Sequence, residues 1–184
     1  MKKLTLIIIV IIAVIALFYF LTHDRSPVGQ TPTSSSSENG TFHPDPSNAT
    51  FTFDDGPVTL SGGQSERAVA PDSAFVEEID ILDKFAYGDL NTDNKTDTAL
   101  LLSQYGGGSG TFVYVAAFVS GPVTYRGSKV FFLGDRIIPQ SIAINNGVIT
   151  VKYLDREPDE IMSVEPTISV SKQFVYLNGE LVER

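Results

Sequence analysis

The chain has 184 residues, 42% of them hydrophobic, with 22 acidic and 13 basic side chains and a net charge of −9. That is enough apolar material for one packed domain, and the acidic balance disfavours nucleic acid and anionic lipid headgroups as partners. There is no cysteine, and the two histidines are His23 and His43. Disulfides and a thiol-lipidated N-terminus are therefore excluded, and from residue 48 onward so are Ser-His-Asp catalysis, Cys-His catalysis and zinc sites built on His or Cys.

In chain order, residues 4–21 are apolar except for Thr5. As a helix this block rises about 27 Å at about 1.5 Å per residue, which matches a bilayer core of about 30 Å. A cleaved signal peptide is the alternative, but its apolar region is shorter and ends in a small-x-small site. Here the block ends in Phe18, Tyr19, Phe20 and Leu21. Residues 1–22 are therefore expected to be a retained transmembrane anchor. Lys2 and Lys3 precede the block, while Arg25 after it is offset by Asp24. The positive-inside tendency then keeps the N-terminus cytoplasmic and places the remainder outside the cell membrane.

Residues 23–47 read as a disordered linker. They contain Pro27, Pro32, Pro44, Pro46 and the run Ser34–Ser37, with too little apolar surface to offset the entropy of ordering. The first 47 residues carry three acidic and three basic side chains, so the whole net charge falls on residues 48–184.

From residue 48 the pattern becomes that of strands and turns. Ala49–Phe53, the turn Asp54–Pro57 and Val58–Leu60 signal a hairpin. Phe75–Tyr87 reads as a bent strand. Runs rich in Val, Ile, Phe and Tyr follow at Thr98–Gln104, Thr111–Val119, Val123–Leu133, Ile137–Ile144, Val148–Leu154 and Thr167–Leu177. Between two of them stands Asn145-Asn146-Gly147, a signal for a type I′ turn. Ile149, Val151 and Tyr153 share one face of their strand, whereas both faces of Thr111–Val119 are apolar, which makes that strand central. This spacing predicts a mainly β domain over 48–184, an antiparallel sandwich or barrel.

One segment carries chemistry. In Gly88–Asp97, oxygen side chains fall at alternate positions: Asp89, Asn91, Asp93 and, four residues further, Asp97. Calcium takes 6–8 oxygen ligands at about 2.3–2.6 Å, and alternating donors on a turning loop converge. The Lys95 carbonyl adds a main-chain ligand, and three carboxylates this close repel one another without a cation. The expected metal ligands are thus Asp89, Asn91, Asp93, Lys95 and Asp97, with Ca²⁺ as the cofactor. The opposing reading is a polar hairpin without metal, since Asp and Asn are common turn residues.

This loop resembles the calcium loop of FG-GAP (integrin-like) repeats, in which D-x-[DN]-x-D-x-x-x-D joins two strands. Phe85 and Tyr87 lead in, and Ala99–Leu102 leads out. The resemblance covers about 15 residues and one copy, so it implies the loop and not a propeller. Residues 48–184 also resemble bacterial envelope proteins that share an Asn-Ala-Thr start, this loop, a Gly-rich turn and a Leu-Gly-Asp-Arg segment. That likeness implies a location and no activity.

Other candidates carry less. Gly106–Gly110 lacks the Lys-Ser/Thr sequel of a phosphate loop and reads as a hairpin turn. Asp135, Asp155, Glu157, Asp159 and Glu160 supply carboxylates without a pattern that pairs them. Arg126, Arg136 and Arg156 suit ion pairs, and Tyr105, Tyr114, Tyr125 and Tyr153 suit core or cross-strand contacts. The expectation is a membrane-anchored binding or structural module with a protein or glycan partner in the envelope. The alternatives are a carboxylate-based hydrolase of envelope glycans and an inhibitor or partner of a basic secreted protein.

Overall fold

A computed structural model describes residues 42–68, 75–106 and 108–184. The expected membrane helix over 1–22 and most of the linker lie outside these residues.

The described chain forms twelve strands: β1 Thr50–Phe53, β2 Gly56–Thr59, β3 Gln64–Ala68, β4 Val76–Gly88, β5 Asp97–Tyr105, β6 Phe112–Ser120, β7 Tyr125–Gly127, β8 Phe131–Asp135, β9 Ile138–Asn145, β10 Val148–Asp155, β11 Ile168–Leu177 and β12 Glu180–Glu183. Every strand pairing is antiparallel. A six-stranded sheet runs β3-β4-β5-β6-β7, with β8 also on β6. A four-stranded sheet runs β12-β11-β10-β9, and β1-β2 is a separate hairpin.

Side-chain alternation explains the layering. On β5, Ala99 and Leu101 point to one face and Leu100 and Leu102 to the other, and all four are fully buried. The first pair joins Val113, Val115 and Ala117 of β6 in a core closed by Ile149, Val151, Tyr153 and Phe174 of the four-stranded sheet. The second pair joins Ile79 and Ala116 in a core closed by Phe51, Phe53 and Val58 of the hairpin. The central sheet is thus covered on both sides, which is why β5 and β6 are apolar at successive positions rather than alternate ones.

Two turns follow directly from their residues. Asn146 and Gly147 both have positive φ (50° and 73°), as a type I′ turn requires. Asn178 and Gly179 repeat this at 51° and 94°, so the tail beyond them folds back as β12 instead of trailing off.

Three expectations need correction. Val123–Leu133 is not one strand. At Ser128, whose N–H still donates to the Ala117 carbonyl of β6, the chain turns to bond the hairpin: Thr52 N–H donates to the Ser128 carbonyl and Val130 N–H to the Thr52 carbonyl. β8 then returns to β6 through a register shift. A strand is also present at β3, whose polar sequence Gln-Ser-Glu-Arg-Ala gives no hydrophobic signal because it is an edge strand. Finally, the linker ends earlier than residue 47. Pro44 and Pro46 are buried, the Thr98 hydroxyl donates to the Pro44 carbonyl at 2.7 Å, and His43 stacks on Tyr87 at 3.8 Å. Residues 42–47 belong to the folded unit.

Candidate functional site: the β4–β5 loop

The loop between Gly88 and Asp97 is built by its own side chains. Asp89 Oδ1 accepts the N–H groups of Asn91 (3.2 Å) and Thr92 (2.7 Å), and its Oδ2 accepts that of Asn94 (2.8 Å). Asn91 Oδ1 accepts the Asp93 N–H at 3.1 Å, and Asp93 Oδ1 accepts the Lys95 N–H at 2.9 Å. Each acceptor stands in for the backbone acceptor that an ordinary turn would use. The winding requires positive φ at Thr92 (63°) and Asn94 (64°). Asn tolerates this conformation, whereas β-branched Thr takes it at a cost, which the Asp89 bond to its N–H offsets.

Asp97, the first residue of β5, closes the loop. Its carboxylate is fully buried. Oδ2 accepts the Leu90 N–H and Oδ1 the Ser120 N–H, both at 2.8 Å. Leu90 is itself buried in the core between the two large sheets, so the loop is pinned from below as well as from its end.

Two residues that sequence reading does not connect with the loop complete the arrangement. The Ser120 hydroxyl donates to Asp93 Oδ2 at 2.6 Å, and its carbonyl accepts from Asn91 Nδ2 at 2.8 Å. The Tyr125 hydroxyl donates to the Thr96 carbonyl at 2.9 Å. Both lie 27 to 29 residues from their loop partners. They arrive because β6 runs antiparallel to β5, with Thr98 opposite Phe118, so the end of β6 lies beside the start of β5. A serine closing an apolar strand before Gly121-Pro122 is too ordinary a pattern to mark it in advance.

The Ser120 hydrogen bond, ahead of the opposing effect of desolvation and the added help of Lys95, lowers the Asp93 carboxyl below its ordinary range. Lys95 Nζ lies 3.4 Å from Asp93, an exposed pair of small energetic value. Among the described residues it is the one cation paired with any of the three loop carboxylates. Asp89, Asn91, Asp93, Lys95 and Asp97 thus lie on one compact loop. Among the described residues no three His, Cys, Asp or Glu side chains converge as a ready metal cluster, because the carboxylate oxygens point onto loop N–H groups.

Several of the remaining sequence candidates have structural partners. Asp135 pairs with Arg136 at 3.0 Å and accepts the Thr111 N–H at 2.9 Å. Arg156 donates to the Val164 and Arg136 carbonyls. Tyr153 is a core residue. The Gly106–Gly110 segment joins β5 to β6.

No family model matches the chain, and comparison with curated proteins and with solved structures likewise gives no match.

Proposed function

We propose that the chain is a membrane-anchored, extracytoplasmic binding or structural module whose β4–β5 loop takes one Ca²⁺. The observation that carries the calcium reading is Asp97: a fully buried carboxylate with two N–H donors and, among the described residues, no ion-pair partner. Burying an ionised group without a counter-charge is expensive. A divalent ion among Asp89, Asn91, Asp93, the Lys95 carbonyl and Asp97 supplies that charge. The donor chemistry fits. All donors are oxygens, as calcium prefers, and each oxygen that accepts one N–H keeps a further lone pair. The role is structural: the ion offsets mutual repulsion and fixes the loop against Ser120.

The anchor rests on the apolar block at residues 4–21 and the lysines before it. The binding role rests on an acidic, β-rich body, with the whole net charge of −9 on residues 48–184.

The test is thermal melting with and without calcium. A ligand at a hundredfold excess over Kd that binds only the native state stabilises by about 2.7 kcal/mol, a shift of several degrees for a domain of this size. Asp93→Ala should abolish the shift, and Asp159→Ala, on a separate loop, should keep it. An unmoved wild-type curve in millimolar calcium refutes the calcium reading and leaves a self-sufficient hydrogen-bonded hairpin.

A further inference from the structure

The four-stranded sheet joins its strands in two ways. β9 meets β10 through Asn146-Gly147, and β11 meets β12 through Asn178-Gly179. β10 and β11 are antiparallel neighbours of the same kind, with Asp155 opposite Ile168, yet residues 156–167 run between them. A two-residue turn is enough for such a pair. Connections of about a dozen residues with no strand or helix of their own are usually functional.

This loop is braced from within. Its ends meet where the Thr167 N–H donates to the Asp155 carbonyl at 2.9 Å. Two turns follow each other: Glu160 N–H donates to the Glu157 carbonyl and Val164 N–H to the Ile161 carbonyl, both at 3.0 Å. Pro158 stands second in the first turn, where its fixed φ suits the bend. Arg156 Nε donates to the Val164 carbonyl, and its Nη1 donates to the Arg136 carbonyl at 3.1 Å. Pro166, near the exit, is buried. A group presented on such a frame has less freedom left to lose on binding.

The second turn carries the apolar part. Ile161 and Met162 open it and are 69% and 42% exposed, while Val164 of the same turn is half-buried. Single exposed apolar residues are ordinary on a surface. Two adjacent ones on a braced turn make an anchor of the kind that fills a pocket in a partner's surface. Methionine, unbranched and polarizable, adapts to the shape of what it enters.

The charge on the loop narrows the choice of partner. Residues 156–167 carry four carboxylates, Glu157, Asp159, Glu160 and Glu165, against one basic side chain, Arg156. Among the described residues none of the four has an ion-pair partner. Glu160 accepts the Glu157 N–H at 3.3 Å, and Glu157, Asp159 and Glu165 are exposed. Carboxylates around an apolar tip disfavour an anionic lipid surface and nucleic acid, and also a second copy of this chain, whose net charge is −9. An exposed turn encloses no small solute. The complementary surface is a protein with an apolar pocket and a positive rim.

We infer that residues 156–167 form a docking loop: Ile161 and Met162 enter an apolar pocket of a basic partner protein, and Lys or Arg side chains around that pocket meet Glu157, Asp159 and Glu165. The inference rests on the binding-module reading above and is independent of calcium at the β4–β5 loop.

The experiment places the photoreactive side chain p-benzoylphenylalanine at position 162 of the full chain, in intact cells that make it. The comparison places it at position 123. Val123 is 92% exposed in the segment Gly121-Pro122-Val123-Thr124, which has no carboxylate. Illumination should give a discrete adduct with a protein of net positive charge from position 162 and none from position 123. Ile161→Ser should lower the adduct yield about tenfold or more, as loss of an interface anchor does. Glu157→Gln combined with Asp159→Asn should lower it about two- to fivefold, the range for exposed charge pairs. Both sets leave Glu160 and Arg156 in place, so the melting temperature should be retained; should one misfold, the other still decides. An acidic partner, an adduct with a second copy of the chain, the same adduct from both positions, or a yield that neither set changes overturns the inference. An adduct from position 123 alone overturns it and leaves the binding-module reading standing. No adduct from either position counts against both.

Discussion

Asp97 Oδ1 accepts the main-chain N–H of Ser120 at 2.8 Å, and this bond ties the β4–β5 loop to the far end of β6. The same carboxylate holds Leu90 through its other oxygen. One side chain therefore fixes the loop's entry, its exit and its neighbour. Ser120 answers with its hydroxyl on Asp93 and its carbonyl on Asn91, so the loop cannot loosen at one point without exposing donors at another.

The first prediction concerns that carboxylate. Asp97→Asn keeps the shape but sets an amide NH₂ against one of two buried N–H donors. A lost buried acceptor costs about 1–3 kcal/mol, so melting measured in EDTA should fall by about 4–12 °C. Asp93→Ala removes a partly exposed group in the same loop and should cost less in EDTA, because it also relieves repulsion. Equal losses for the two variants would mean that Asp97 has no special part in the loop.

A second prediction concerns how the hairpin seats on the sheet. A Cβ at Gly127 would fall inside contact distance of the Thr50 carbonyl oxygen and 2.8 Å from the Phe51 ring. Neither yields easily: one is main chain, and the other is fully buried. Gly127→Ala should cost about 1–3 kcal/mol by overpacking. Gly108→Ala, where a Cβ meets nothing within 4 Å, should stay within about 0.5 kcal/mol of wild type. Comparable stability of the two variants, by denaturant titration, would show that the hairpin floats over β7.

Most of the strand framework was legible because periodicity reports burial. The one-sided pattern of Ile149, Val151 and Tyr153 and the two-sided pattern of Thr111–Val119 both match the layers they occupy. Asn-Gly pairs announced their turns because positive φ is a local property. What escaped is non-local. β3 is an edge strand with a polar sequence. The break at Ser128–Val130 exists because β1 competes for its hydrogen bonds. Pro44 and Pro46 look like linker residues until Thr98 of β5 bonds the Pro44 carbonyl and Ala49 the Pro46 carbonyl. In the candidate loop, the spacing of Asp89, Asn91, Asp93 and Asp97 was visible, but Ser120 and Tyr125 reach it only through the β5–β6 register.

The third prediction concerns orientation. Lys2 and Lys3 precede the apolar block, so the folded unit should lie outside the membrane. Protease added to intact spheroplasts should release it, leaving a short membrane-bound stub. Protection until lysis would reverse the assignment.

The fourth prediction locates the start of the folded unit. Ser47 bonds the turn between β2 and β3 through its carbonyl, which accepts the Gly63 N–H at 2.7 Å, and the Pro46 carbonyl accepts the Ala49 N–H at 2.9 Å. The most consequential contact is Thr98 to Pro44, since Thr98 is fully buried. A chain beginning at Thr41 keeps all three bonds, and one beginning at Asn48 loses them. The orphaned hydroxyl alone should cost about 1–3 kcal/mol, with further loss from the uncovered Tyr87 ring, so the shorter chain should melt several degrees lower. Thr98→Val separates the two contributions. In the longer chain it removes a made hydrogen bond and should destabilise. In the shorter chain it removes an orphan and should cost less or stabilise. The coupling between truncation and substitution, read as a double-mutant cycle, should therefore be of the order of 1 kcal/mol. Simple additivity would mean that the Pro44 carbonyl contributes nothing to Thr98, and that residues 42–47 rest on the sheet without holding it.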